Sequence, residues 1–139
     1  MQVIVAPEAH HKWISDKAGF CPTEDFRAVE AVDEKGQIHG MVGFDNWTEN
    51  SVVVCIALDK PVALRRLIHP VFDFIFNRAN RGIILCMVRG ENQRSYQVCR
   101  KLGFREAYRV KDGIKVGEDM IILEMRREEC RWIEQRKAA

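Results

Sequence analysis

Residues 51–88 change hydrophobic period twice, and this limits the topologies open to the chain more than any other feature. Ser51–Leu58 is apolar and β-branched, the composition of a strand. Leu64, Leu67, Ile68, Val71, Phe72, Ile75 and Ala79 then recur at spacings of three and four, which marks one buried helical face. Residues 83–88, Ile-Ile-Leu-Cys-Met-Val, form an unbroken apolar run, predicting a central strand covered on both faces. A helix that links two strands of one sheet makes them parallel, with a right-handed crossover. Pro70 complicates the helix because it has no amide to give the carbonyl of Arg66. Either the helix kinks there, or its regular part begins near His69 after an irregular loop.

The flanking segments extend this unit in both directions. Residues 2–6 predict a first strand, and Pro7 with Glu8 opens a helical stretch that ends near Ala18 and Gly19. Residues 26–32 and 37–47 predict a hairpin around the turn Asp33-Glu34-Lys35-Gly36. With Ser51–Leu58 they form an antiparallel meander. Beyond the central strand come a helix from Asn92, a strand over 104–110, a turn at Lys111-Asp112-Gly113 and a last strand over 119–125. Residues 126–137, charged with Cys130, Trp132 and Ile133 interspersed, predict a terminal helix packed through Trp132. No repeat or linker interrupts residues 1–139, so the expectation is a single mixed α/β (α+β) domain.

The helix at Asn92 carries both of its ends in its sequence. The Asn92 side chain can accept from the first-turn amides, Lys101 suits the negative end of the dipole, and Gly103 supplies a left-handed cap. Phe104 can then fold back onto Cys99. A strand, an Asn-capped helix, a Lys101-Leu102-Gly103-Phe104 ending and a further strand resemble the acceptor-side motif of the GNAT N-acetyltransferases. The order of elements from about Phe26 to Met125 resembles the same fold, a largely antiparallel sheet with a splayed central parallel pair and flanking helices. A narrower resemblance, to small GNAT proteins encoded by phages, rests on Phe44-Asp45-Asn46-Trp47-Thr48 and on residues 117–132.

The resemblance implies acetyl-CoA as cosubstrate and a primary amine, of a protein or a small molecule, as acceptor. It implies that the pantetheine arm lies along the backbone of Ile56, Ala57 and Leu58, flanked by Asn92, and that pyrophosphate meets Ala63, Leu64, Arg65 and Arg66. The family's glycine-rich phosphate loop is absent, since residues 59–66 contain no glycine. Charge on Lys60, Arg65 and Arg66 is the expected substitute, against the alternative of solvated cations at an ordinary helix start. Where many relatives carry a tyrosine that protonates the departing thiolate, this chain has Cys99. Cys99 reads as that acid or as a buried core thiol, and Tyr96, one turn earlier, reads as a shifted acid or a core tyrosine. Ser51–Leu58 holds no acidic residue, which leaves Glu30, Asp45 and Asp59 as candidate bases. Trp47 reads as an acceptor-pocket wall or a core lid.

Charge and cysteine content narrow the partners. Twenty-two Lys and Arg against 20 Asp and Glu give +2, too even and too scattered to indicate nucleic acid. No apolar run reaches a membrane span and residues 1–20 lack the pattern of a signal peptide, so a cytoplasmic protein is expected. Five cysteines without a C-x-x-C pair read as reduced thiols, and the histidines lack metal-ligand spacing. An open sheet edge would admit a homodimer. Against the enzyme stands a module that has kept the fold and lost the reaction, with or without CoA binding.

Overall fold

A computed structural model describes residues 1–135 and gathers seven strands into one sheet. They are β1 (Gln2–Val5), β2 (Arg27–Val32), β3 (Ile38–Asp45), β4 (Ser51–Leu58), β5 (Ile83–Arg89), β6 (Arg105–Lys115) and β7 (Glu118–Arg126). Their order across the sheet is β1-β2-β3-β4-β5-β7-β6. The meander of β2, β3 and β4 is antiparallel as expected, and β4 and β5 form the parallel pair. The helices are α1 (His11–Ala18), α2 (Pro61–Asp73) and α3 (Gln93–Leu102).

The sheet divides the apolar residues into two cores. Alternation along β4 sends Val52 and Val54 to the face under α2, where they join Leu67, Phe72, Phe76, Ile84 and Leu123. Ala57 points to the other face, against Ile14 of α1, Phe26 and Met41. A side chain such as Phe72, fully buried, stabilises the fold by roughly 1.5–3 kcal/mol relative to exposure.

That arithmetic explains why α2 runs through Pro70 as a helix from Pro61 to Asp73 instead of starting near His69. An interior proline costs about 3 kcal/mol. Buried Leu67, Val71, Phe72 and Ile75 together return more, and Pro70 itself sits on the exposed face. The helix then widens into a π turn over Phe74–Arg78, in which the Ala79 amide reaches the Phe74 carbonyl at 2.7 Å.

Three further expectations need correction. The strand β6 continues past residues 111–113, and the chain reverses at Val116 and Gly117, where Gly117 has φ of 91°. Asp112, at φ 56°, instead forms an irregularity in the ladder and accepts the Gly117 amide at 2.9 Å. No helix follows β7 among the described residues: there is one 3-10 turn, Arg127–Glu129, and residues 136–137 of the expected helix lie outside the description. Helix α3 leaves terminal carbonyls without intrahelical partners, and the tail supplies them. Trp132 Nε1 donates to the Leu102 carbonyl at 2.7 Å, and Arg131 donates to those of Lys101 and Leu102. Finally, β5 is not covered on both faces. Cys86 and Val88 are buried, whereas Met87 between them is 54% exposed.

Candidate active site

The parallel ladder is short. β4 and β5 pair from Ser51 opposite Ile83 as far as Val54 opposite Cys86. Beyond that point residues 55–58 stay paired with β3, through Gly43, Val42, Met41 and Gly40, and Met87 to Arg89 stay paired with β7. The two strands therefore part, leaving one edge of residues 55–58 without a backbone partner from β5. Alternate residues of a strand direct N–H and C=O to the same side, so this edge presents donors and acceptors to the gap.

A cavity of about 760 Å³ occupies the gap and is lined by residues from both faces of the sheet. Ile56, Ala57 and Leu58 line it, as do Asn92, Ser95, Val98 and Cys99 of α3 and its cap. Asn92 is the N-cap: its side-chain oxygen accepts the Ser95 amide at 3.1 Å, which leaves the carboxamide NH2 available. Gly103 takes φ of 113°, and the Phe104 amide closes the helix on the Cys99 carbonyl at 3.0 Å.

Three thiols, Cys55, Cys86 and Cys99, line the cavity where the strands part. Burial pushes the Cys55 thiol up to about 12. Cys86 donates to Cys99; this bond and then burial hold Cys86 well above the ordinary thiol range. The same bond holds Cys99 below it, because the Cys86 proton stabilises a Cys99 thiolate. Cys99 is thus both a buried core residue and a cavity wall. Tyr96 is outside the lining, with its hydroxyl donating to Glu106 Oε1 at 3.2 Å.

Ala63, Leu64, Arg65 and Arg66 are likewise outside the lining. Ala63 is buried, and a Cβ built on Gly40 of β3 would stand only 2.7 Å from its own, so its small size serves close packing of α2 on the sheet. Few amides are free at the start of α2: those of Asp59 and Lys60 bond the His39 carbonyl, Pro61 has none, and that of Ala63 bonds the Lys60 carbonyl. Arg65 and Arg66 are exposed on α2, seven and eight residues after Leu58, which ends the β4 part of the cavity lining.

Among the three candidate bases only Asp45 lines the cavity. Glu30 is buried against His10 Nδ1 at 2.9 Å, and Asp59 pairs with Lys17 at 2.7 Å. Asp45 accepts from the Thr23 hydroxyl, the Thr23 amide and the Asn46 amide. It faces Val53 across the ladder, two residues before Cys55, which is about 7 Å along a strand. Trp47 is a lid: it stacks on Phe44, meets Phe74 edge-on, and lies under the Arg81 guanidinium at 5.1 Å. Sequence reasoning missed Phe20, Thr23, Ile114 and Met120, which reach the cavity from the loop after α1 and from the β6–β7 ribbon. No local pattern marks them, since only the tertiary fold brings them there.

Among the described residues no group of His, Cys, Asp or Glu side chains is placed to hold a metal ion, and no helix is long and apolar enough to cross a membrane. A mixed seven-stranded sheet that splays at its one parallel pair, with a capped helix beside the gap, is the GNAT fold. Solved structures bear out the likeness in shape. Spermidine/spermine N-acetyltransferase SpeG from Vibrio cholerae, solved in complex with manganese ions, matches with a TM-score of 0.69 at 15% identity, over 90% of this chain and 91% of that one. A dodecameric structure of the Vibrio cholerae spermidine N-acetyltransferase in an intermediate state matches with a TM-score of 0.69 at 14% identity, over 90% and 92% of the two chains. No protein-family model and no curated protein sequence matches the chain.

Proposed function

We propose that this chain is an acetyl-CoA-dependent N-acetyltransferase that moves the acetyl group directly to a primary amine. The observation that carries this reading is the end of the parallel ladder at Val54 and Cys86, which leaves an unpaired backbone edge along a cavity. The similar fold of spermidine N-acetyltransferases supports it. Acetyl-CoA supplies an activated acetyl group as a thioester. The backbone of Ile56, Ala57 and Leu58 binds the pantetheine arm, and a β4 amide polarises the thioester carbonyl. The Asn92 carboxamide holds the arm from the other wall. Lys60, Arg65 and Arg66 meet the phosphates with charge, because so few amides at the start of α2 are free.

Asp45 draws the proton from the incoming ammonium through water, and Cys99 returns one to the departing thiolate. Holding amine and thioester together removes up to roughly 7–11 kcal/mol of barrier, so direct transfer needs no covalent enzyme intermediate. The protein acts in the cytoplasm, and residues 44–48 and 117–132 ally it with the small phage-encoded members. The engaged amides at the start of α2 favour a second reading, a GNAT-fold binding module without turnover. Release of free CoA thiol from acetyl-CoA in the presence of primary amines decides between them. Amine-dependent release that falls at least tenfold in Asp45→Asn is expected; acetyl-CoA binding with no release under any amine would leave the module.

A further inference from the structure

The cavity has an acceptor side as well as a cofactor side. Cys86 and Val88 point into the core shared with α3, so Met87 points to the opposite face, the face of α1. Asp45 and Cys55 share that face, because Asp45 pairs with Val53 and Gly43 pairs with Cys55. Met87 lies one residue past the last β4–β5 pair and keeps only Ile122 of β7 as its partner, so it borders the gap. There it is 54% exposed and lines the cavity together with Phe20, Phe26, Ile114 and Met120.

The charges lining the cavity are few. Asp45 is the one carboxylate lining the cavity among the described residues, beside three cations, Lys17, Arg89 and Arg94. Asp59 holds Lys17 at 2.7 Å and buried Glu118 holds Arg89 at 2.9 Å, and both cations stay at the cavity. With Lys17 and Arg89 already paired, the lining offers one carboxylate, Asp45, to the several positive charges of a polyamine. A single ammonium on an apolar body matches better: the charge goes to Asp45 and the body to Met87 and its neighbours.

We infer that the acceptor is a small monoamine with an apolar body, selected by Met87, and not a polyamine. The inference rests on the acetyltransferase reading. In the reaction the ammonium first gives one proton to solvent by way of Asp45; the amine nitrogen then forms a bond to the acetyl carbon, the carbon–sulfur bond breaks, the nitrogen loses a second proton and the CoA sulfur gains one. No oxidant or further reactant is needed.

2-Phenylethylamine and spermidine serve as probes, in both CoA-release kinetics and direct calorimetric titration without acetyl-CoA. The expected kcat/KM for 2-phenylethylamine exceeds that for spermidine by tenfold or more. Met87→Lys, at an exposed position, should keep its melting temperature and lose at least tenfold in kcat/KM for 2-phenylethylamine, chiefly through KM. A preference for spermidine, or an unchanged KM in Met87→Lys, overturns the inference while leaving acetyl transfer intact. If acetyl-CoA neither binds nor turns over, the transferase reading falls and the amine titrations judge the wall alone. Binding of 2-phenylethylamine that Met87→Lys abolishes then upholds the wall, and no binding overturns it.

Discussion

Val54 on β4 and Cys86 on β5 are the last facing pair of the parallel ladder, and the cleft begins immediately beyond them. Each strand keeps its outer neighbour past this point, β3 on one side and β7 on the other. The gap is therefore a feature of a firmly held sheet and not of a frayed strand end. Backbone groups left open in such a place require a partner. The proposed partner is the amide-bearing pantetheine arm of CoA.

Phosphate recognition at the start of α2 is predicted to depend on side-chain charge. Replacing Arg65 and Arg66 together with Ala should weaken CoA binding by about tenfold and flatten its salt dependence. Both side chains are exposed, so the melting temperature should hold. Isothermal titration at two salt concentrations measures this, and an unchanged affinity and salt slope would remove the pair from the site.

Cys99 is predicted to act as the proton donor to the departing thiolate. A donor works only while protonated, and the Cys86 bond depresses the Cys99 value. Turnover should therefore fall as pH rises through that depressed value. Cys99→Ala should lower kcat by about a hundredfold, within the range of general acid catalysis, and abolish the alkaline fall. A pH–rate profile checks both. An effect confined to melting temperature would assign Cys99 to the core alone.

Acid stability should depend on Asp33. Its carboxylate accepts from His39 Nε2 at 2.8 Å and from the Gln37 and Lys35 amides at 3.0 and 2.9 Å. The His39 bond above all, and then that of Gln37, hold it at about 2 against an ordinary 3.8. A depressed carboxylate contributes stability that is present above its unfolded value and lost as pH falls through the folded one. Asp33→Asn should thus make the melting temperature less sensitive to acid between about pH 4 and pH 2. An unaltered acid slope over that window would show that the pair does not couple to folding.

The reach of sequence reasoning followed the range of the interactions involved. Helix α3 was legible at both ends because Asn92 and Gly103 act on their own neighbours. Strand β4 was legible because its β-branched run is bounded by turn residues. Pro70 left two readings open, and burial that only the tertiary fold supplies decides for the helix that runs through it. The apolar run of β5 was read as doubly covered, yet Met87 is exposed at the cavity, and periodicity cannot separate a packed face from a cavity wall. Of the residues expected at the candidate site, 56–58 and Asn92 line the cavity, and so does Asp45 alone of the three candidate carboxylates. Gly43 was silent: a Cβ there would stand 2.3 Å from the Phe26 ring, so the glycine admits that ring to the cavity wall.

Calorimetric titration of the chain with acetyl-CoA tests the open edge of β4 most directly. Saturable one-to-one binding in the micromolar range is predicted, about −8 kcal/mol, with CoA as a competing ligand. No detectable heat together with no thermal shift would contradict a CoA site in the cleft between β4 and β5.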